Sequence, residues 1–378
     1  MNQVKLSIKG RILYGLAALA AMLSILLCMK GETKAAGTGT IYVSIERFTI
    51  GQGYLVEPVT MTFSQGESYA HVIERLAQWY NLKLTADRKP STGTTINYYY
   101  LRSIANADKG KLDIPDIIMN MPAMDWKDEN VSPPTNTVND GNDFYPDLGE
   151  FAYGRFSGWY YLVNGNNPGT SFSSLSPTDG DVCRYMFTLY GIGKDVENPE
   201  LPAREAMTKT LALMNSNQSV MKARGWKNAY DKAIQVISDL DSTQAQMDAA
   251  YKALPTVSLI QEAIREEAAI QEAARKKAII KKYTPAKVTL RSVKAGKKKA
   301  KITWKKIASA TGYQIYYSRK PSSGFKKLKT IRKAKIVTLT KKGLKSKKKY
   351  YFKVRAYRKA GGKTYYGPFS KVKGVKTK

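Results

Sequence analysis

Ser157-Gly-Trp-Tyr-Tyr-Leu-Val-Asn-Gly165 reads as a β-strand running into a tight turn. Alternation along a strand puts Trp159, Tyr161 and Val163 on one face and Tyr160 and Leu162 on the other, so at least one set is core. Asn164-Gly165 is the dipeptide of a type I′ hairpin turn. Downstream, Asp179-Gly-Asp181 makes a second turn before the apolar run Val182 to Tyr190. Upstream, Ile41 to Phe48 alternates in the manner of a half-buried strand, and Leu55 to Phe63 repeats the signal after Gly51-Gln-Gly53, which predicts a hairpin. Ser64 to Ser68 then leads into a helix with Val72, Leu76 and Trp79 or Tyr80 at helical spacing. Strand, strand, helix and further strands predict a small α+β, β-grasp-like domain over residues 38–198.

The strand with its Trp-aromatic-aromatic-x-Val-Asn-Gly turn, the Gly180-Asp181 turn and the aromatic strand carrying Tyr185, Phe187 and Tyr190 together resemble a bacterial domain family of unknown function. That family is related to the C-terminal domain of the transcobalamin and intrinsic factor proteins. The resemblance implies a small-ligand surface, with cobalamin as one ligand to test and no resident cofactor. The aromatic candidates for such a surface are Tyr98, Tyr99, Tyr100, Trp159 and Tyr160, weighed against ordinary packing, which Trp159 favours. The polar, acid-rich stretch from Met124 to Glu150 offers Asp140 and Asp143 as weak calcium candidates. It lacks EF-hand spacing and reads rather as a solvated insertion.

Residues 200–256 change to helical periodicity. Trp226, Tyr230, Ala233, Ile234, Ile237 and Leu240 form one stripe that Trp226 leads into a core. Asp241 with Gln244 reads as a capping box ahead of a second stripe of Met247, Tyr251 and Leu254. With a helix near Ala203 to Met214 this predicts a three-helix bundle. The stretch from Gly225-Trp through Ser242-Thr-Gln to Ala249-Ala-Tyr-Lys-Ala-Leu254 resembles the FIVAR-type modules of Gram-positive surface proteins, which implies a spacer or weak sugar binder. Residues 257–282, dominated by Ala, Glu, Arg and Lys, predict an exposed connecting helix of roughly 35 Å, a stalk.

Residues 283–378 hold roughly seven strand-like runs, the content of an all-β, immunoglobulin-like sandwich. Trp304, Gly312-Tyr-Gln-Ile-Tyr-Tyr317, Leu344 six residues before Tyr350, and Tyr366-Gly-Pro-Phe-Ser370 resemble a fibronectin type III domain. The resemblance implies that Leu344 and Tyr350 form the family's tyrosine corner. No Arg-Gly-Asp occurs.

Charge separates the same segments. The chain has a formal net charge of +32, from 62 Lys+Arg and 30 Asp+Glu. Residues 283–378 contain thirty-two of the bases and not one acid, so the rest of the chain is balanced. Inward positions are needed for core, so Lys297, Lys298, Lys299, Lys347, Lys348 and Lys349 are expected at the surface. Such a coat is either a solubility feature or a polyanion-binding patch.

Lys5, Lys9 and Arg11 precede the apolar run Ile12 to Cys28 and the small residues Ala35, Ala36 and Gly37, which predicts a signal peptide over residues 1–36. Left uncut, it would be the one route to the membrane. Leu27 before Cys28 does not fit a lipoprotein signal. Cys183, the cysteine left after cleavage, reads as a small buried hydrophobe rather than a reactive thiol.

These readings predict a multidomain, secreted, extracellular or wall-associated binding and adhesion protein. The basic sandwich would hold anionic wall polymers such as teichoic acid, and the N-terminal domain would take a small molecule or glycan. Specific nucleic-acid binding is not expected. Neither is catalysis, because His71 stands alone on a helix and spacing nominates no Ser-His-Asp or Cys-His set. A corrinoid or small-solute receptor is the alternative, and a carbohydrate-active hydrolase the remote one.

Overall fold

The computed structural model describes residues 38–88, 96, 98–108, 112–120, 147–154, 157–189, 193 and 195–378. The leader and the candidates Asp140 and Asp143 lie outside the described residues. The chain divides into two compact units, one reaching to Ala268 and the other spanning Ala269–Lys378.

In the first unit β1 (Gly39–Glu46) and β2 (Tyr54–Phe63) form the expected antiparallel hairpin. Its connection needs glycine at Gly51, where φ is +65° and an added Cβ would lie 2.0 Å from the Asp113 carbonyl oxygen. β7 (Val182–Thr188) pairs in parallel with β1, and β6 (Gly158–Val163) pairs antiparallel with β7, giving the order β2-β1-β7-β6. Val163 and Asn166 bridge around Asn164 at φ 52° and Gly165 at φ 78°, the predicted two-residue turn. A smaller antiparallel sheet comprises β3 (Leu84–Arg88), β4 (Tyr99–Ile104) and β5 (Leu148–Gly149).

Helix α1 (Tyr69–Tyr80) starts at a capping box, where the Ser68 N–H donates to His71 Nδ1 at 3.0 Å. The lone histidine is therefore spent on a helix end. Val72, Ile73 and Leu76 are fully buried in one core with Ile41, Val43 and Ile45 of β1. Burial on this scale contributes about 1.5–3 kcal/mol per side chain. Of the two aromatic candidates at the end of the stripe, Tyr80 packs on this core and Trp79 is exposed.

The opposite face of β1 departs from expectation. Tyr42, Ser44 and Glu46 were expected to face water, yet none is more than 7% exposed. Helix α3 (Glu205–Asn215) covers them, following the short α2 (Asp116–Met119) in chain order. Tyr42 and Val182 share a core with Met207, Leu211, Tyr230 and Ile237. Helices α4 (Gln218–Ala223), α5 (Lys227–Ser238), α6 (Gln244–Ala253) and the first turns of α7 (Val257–Tyr283) complete this layer. The expected break near residue 200 is thus a change of secondary structure inside one compact unit. An apolar stripe shows that a helix is covered, not what covers it.

Three local readings shift. The capping box joins Thr243 and Gln246 rather than Asp241 and Gln244. Asp241 instead accepts the N–H groups of Asp116 at 3.0 Å and Ile117 at 2.8 Å at the start of α2. Trp226 sits just before α5 and is half-buried, and Tyr251 of the second stripe is exposed. In α7, whose 27 residues span about 40 Å, Ile260, Ala263 and Ile264 are buried and residues 269–282 are exposed. No described helix is long and apolar enough to cross a membrane.

The second unit is an antiparallel two-sheet sandwich. One sheet has the order β12 (Thr338–Lys342), β9 (Lys299–Trp304), β8 (Leu290–Gly296). The other has β11 (Lys326–Ile331), β10 (Gly312–Ser318), β13 (Lys349–Ala360), β14 (Lys363–Tyr366), with β15 (Lys373–Lys376) also on β13. Tyr313, Ile315, Phe352, Val354 and Trp304 fill the space between them. The expected corner is present: Leu344 is buried and the Tyr350 hydroxyl accepts the Lys345 N–H at 3.0 Å. The last strand is split. β14 pairs with residues 357–360 and β15 with residues 349–352, and Gly367 to Ser370 lies between.

Candidate functional site

The structure does not gather the five aromatic candidates. Tyr99 and Trp159 are core residues, 2% and 9% exposed. Tyr99 stacks on Phe172, and Trp159 Nε1 donates to the Leu148 carbonyl at 2.9 Å. Alternation leaves Tyr98 and Tyr100 on the exposed side. Tyr100 is tied down: its hydroxyl donates to Glu150 at 2.6 Å, and the Arg102 guanidinium lies 5.1 Å from its ring centre. Burial and then the Glu150 carboxylate push its phenol up. Arg102 bridges Glu150 and Asp87, so the carboxylate nearest the acidic stretch is already neutralised. Tyr160, on the opposite face of β6 from Trp159, donates its hydroxyl to Glu197. Among the described residues no group of three or more His, Cys, Asp or Glu could hold a metal ion.

A cleft of about 230 Å³ adjoins β1 and β7, with Glu46, Arg184, Arg204 and Glu205 among its walls. Burial pulls the Arg184 guanidinium down, but Glu46 beside it outweighs this and holds it above its ordinary value. Arg204 donates to the carbonyls of Pro202, Ile237 and Asp239. Burial, helped by Arg184, brings its guanidinium down to about 10. Sequence reading passed over this group. The available signal was Arg184 itself, a single base in an apolar strand. Cys183 beside it is fully buried, and burial pushes its thiol up, which disfavours the reactive thiolate.

In the second unit the turns that carry the two lysine triplets both bond to the final residues. Lys297, Lys298, Lys299 and Lys347, Lys348, Lys349 are all exposed. The Leu344 N–H donates to the Lys298 carbonyl at 3.0 Å, and the Lys298 N–H to that of Lys378 at 3.3 Å. The Lys347 N–H donates to the Thr377 carbonyl at 3.2 Å. Two turns distant in sequence and the final residues thereby form one basic end of the sandwich.

A second feature lies on the five-stranded sheet. Tyr313, Ile315, Phe352 and Val354 point into the core, which puts Gln314, Tyr316, Lys353 and Arg355 on the outer face. There rings and cations alternate. Lys353 lies 4.3 Å from the ring centres of both Phe325 and Phe369. Arg355 lies 4.9 Å from Phe369 and 4.2 Å from Tyr366. Phe369 reaches this position because the last strand breaks at Gly367 to Ser370. Arg355 also donates twice to Gln314 Oε1, at 2.9 and 2.8 Å. The sequence hinted at this only through alternation in Phe352 to Tyr357, since the partner rings come from two other segments.

No protein-family model matches the chain, and no curated protein matches it. Among solved structures it is similar to a β-1,2-glucanase from Parabacteroides distasonis, at 21% identity and a TM-score of 0.22 over 25% of this chain and 13% of that one. It is also similar to the chicken CNTN1 FN1-FN3 domains, at 24% identity and a TM-score of 0.21 over 24% and 30%. A third is the 6th fibronectin type III domain from human fibronectin type III domain containing protein 3, at 22% identity and a TM-score of 0.21 over 25% and 85%. The chain therefore spans under a third of the length of the first two.

Proposed function

We propose that this chain is a non-enzymatic binding protein of the cell exterior, held on anionic envelope polymers such as wall teichoic acid by its C-terminal sandwich. The observation that carries this is the basic end, where the turns bearing the two lysine triplets are each hydrogen-bonded to the final residues Thr377 and Lys378, in a segment without one acid. Like charges held together repel one another, and a polyanion relieves that repulsion while its counterions are released. The apolar leader Ile12 to Cys28 supports export, where such polymers are found. In this reading the first unit carries the surface for a second ligand. The cleft beside Arg184 and Arg204 favours a small solute there over a corrinoid, because at about 230 Å³ it is below the ordinary range for ligand pockets. The test is sedimentation of the full chain with isolated cell walls. Binding to intact walls and not to walls stripped of teichoic acid is expected, and equal binding to both overturns the reading.

A further inference from the structure

We propose that the outer face of the five-stranded sheet recognises the sugar-bearing repeat of an anionic glycan polymer, with Tyr366 as the stacking ring and Arg332 and Lys359 as the phosphate-holding cations. This rests on the envelope reading above and adds a built site to a diffuse charge. A cleft of about 330 Å³ opens beside the ladder, with Gln314, Thr330, Arg332, Lys359, Thr364 and Tyr366 among its walls. That volume is at the lower end for ligand sites and suits one repeat rather than a long segment.

The chemistry of the walls selects the occupant. Threonine hydroxyls and a carboxamide both donate and accept, as sugar hydroxyls require. Arg355 occupies the oxygen of Gln314, which leaves that side chain's NH₂ group as the donor for a ligand. Neither cation has an Asp or Glu within its own segment, since residues 283–378 contain none. Arg355 packs between Phe369 and Tyr366 behind the cleft, so the stacking ring has little freedom to lose on binding. The terminal ring of the ladder is open to a ligand. Tyr366 is 44% exposed, and Tyr357 backs it at 6.3 Å between ring centres. A bare polyphosphate would use the cations and leave the ring idle, whereas a glycosylated sugar-phosphate or polyol-phosphate chain uses both.

The experiment titrates the full chain with purified glycosylated teichoic acid and, separately, with polyphosphate of matched charge, at about 300 mM salt where diffuse attraction is screened. Wild type is expected to prefer the glycosylated polymer. Tyr366→Ala should lose about fivefold in affinity for it and nothing for polyphosphate, with Tyr366→Phe retaining the preference. In a parallel titration at about 50 mM salt, where charge attraction persists, replacing Lys347, Lys348 and Lys349 with Gln should weaken both polymers alike. Tyr366 is exposed on the short β14, and an unchanged melting temperature of the variant checks the fold. Equal affinity for the two polymers, unmoved by Tyr366→Ala, overturns the site and leaves the charge-based reading standing. Failure to bind either polymer at low salt overturns both.

Discussion

Arg184 on β7 grips Glu46 on β1 through both of its carboxylate oxygens, with Nη2 to Oε2 at 2.7 Å and Nε to Oε1 at 3.0 Å, in a pair hidden between the sheet and α3. Ser44 adds a hydroxyl to the same carboxylate at 2.6 Å. Two charges were taken out of water here, and their attraction offsets that cost only while both remain. Glu46→Gln is therefore expected to destabilise the first unit by about 3 kcal/mol, because it leaves a buried guanidinium with only the part-exposed Glu205 nearby. The double variant Glu46→Met/Arg184→Met should cost much less than the two single changes added together. Urea unfolding of the four proteins measures this, and additive costs would refute the coupling.

Alkaline pH should unfold the first unit early. Burial pushes the phenols of Tyr54, Tyr69, Tyr185 and Tyr230 above their ordinary value of 10.0. Each raised phenol stays protonated in the fold where the unfolded chain would ionise. Its stabilising effect is thus complete below pH 10 and declines as pH rises above it. Arg204, lowered to about 10, and Arg47, also lowered by burial, act in the opposite direction over the interval up to 12.5 but are two groups against several. The urea midpoint should fall between pH 9 and pH 11. Tyrosine absorbance should show a late-titrating class that appears only with unfolding.

Tyr350→Phe removes one hydroxyl and leaves the ring that packs in the sandwich core. The lost partner is the Lys345 N–H at 3.0 Å. A net cost of about 1 kcal/mol is expected. It should appear as faster amide exchange in β9 and β13, while strands of the first unit keep their protection. Unchanged exchange would mean that the corner hydroxyl is dispensable.

Wall binding should weaken roughly log-linearly as salt rises through about 50 to 200 mM, as for basic proteins that displace counterions from nucleic acid. Replacing Lys347, Lys348 and Lys349 with Gln should make that slope shallower without altering the melting temperature, since all three are exposed. A flat salt response in wild type would point to pocket recognition alone.

Local signals carried much of the fold. The Asn164-Gly165 turn, the hairpin around Gly51, the alternation in β10 and β13 and the Leu344–Tyr350 corner were legible because each depends on backbone geometry within a few residues. The triplet lysines were legible as surface because the inward positions between them were already needed for core. The capping box was placed two residues early, because Asp241 and Thr243 are both good cap residues and only the position of α2 decides which one Asp241 serves.

What the sequence determined by itself was therefore the kind of each element and which of its faces could be apolar, since period and turn chemistry are properties of a short stretch of chain. Only the tertiary structure decided what lies against a face that reads as polar. Tyr42, Ser44 and Glu46 look like the wet side of a strand until α3, some 160 residues later, covers them and Arg184 supplies the charge that makes their burial tolerable. The same holds for Phe325, Lys353, Phe369, Arg355 and Tyr366, which become one ladder because strand pairing and a broken last strand bring them together. Contacts between residues far apart in the chain follow from packing, and no local pattern encodes them.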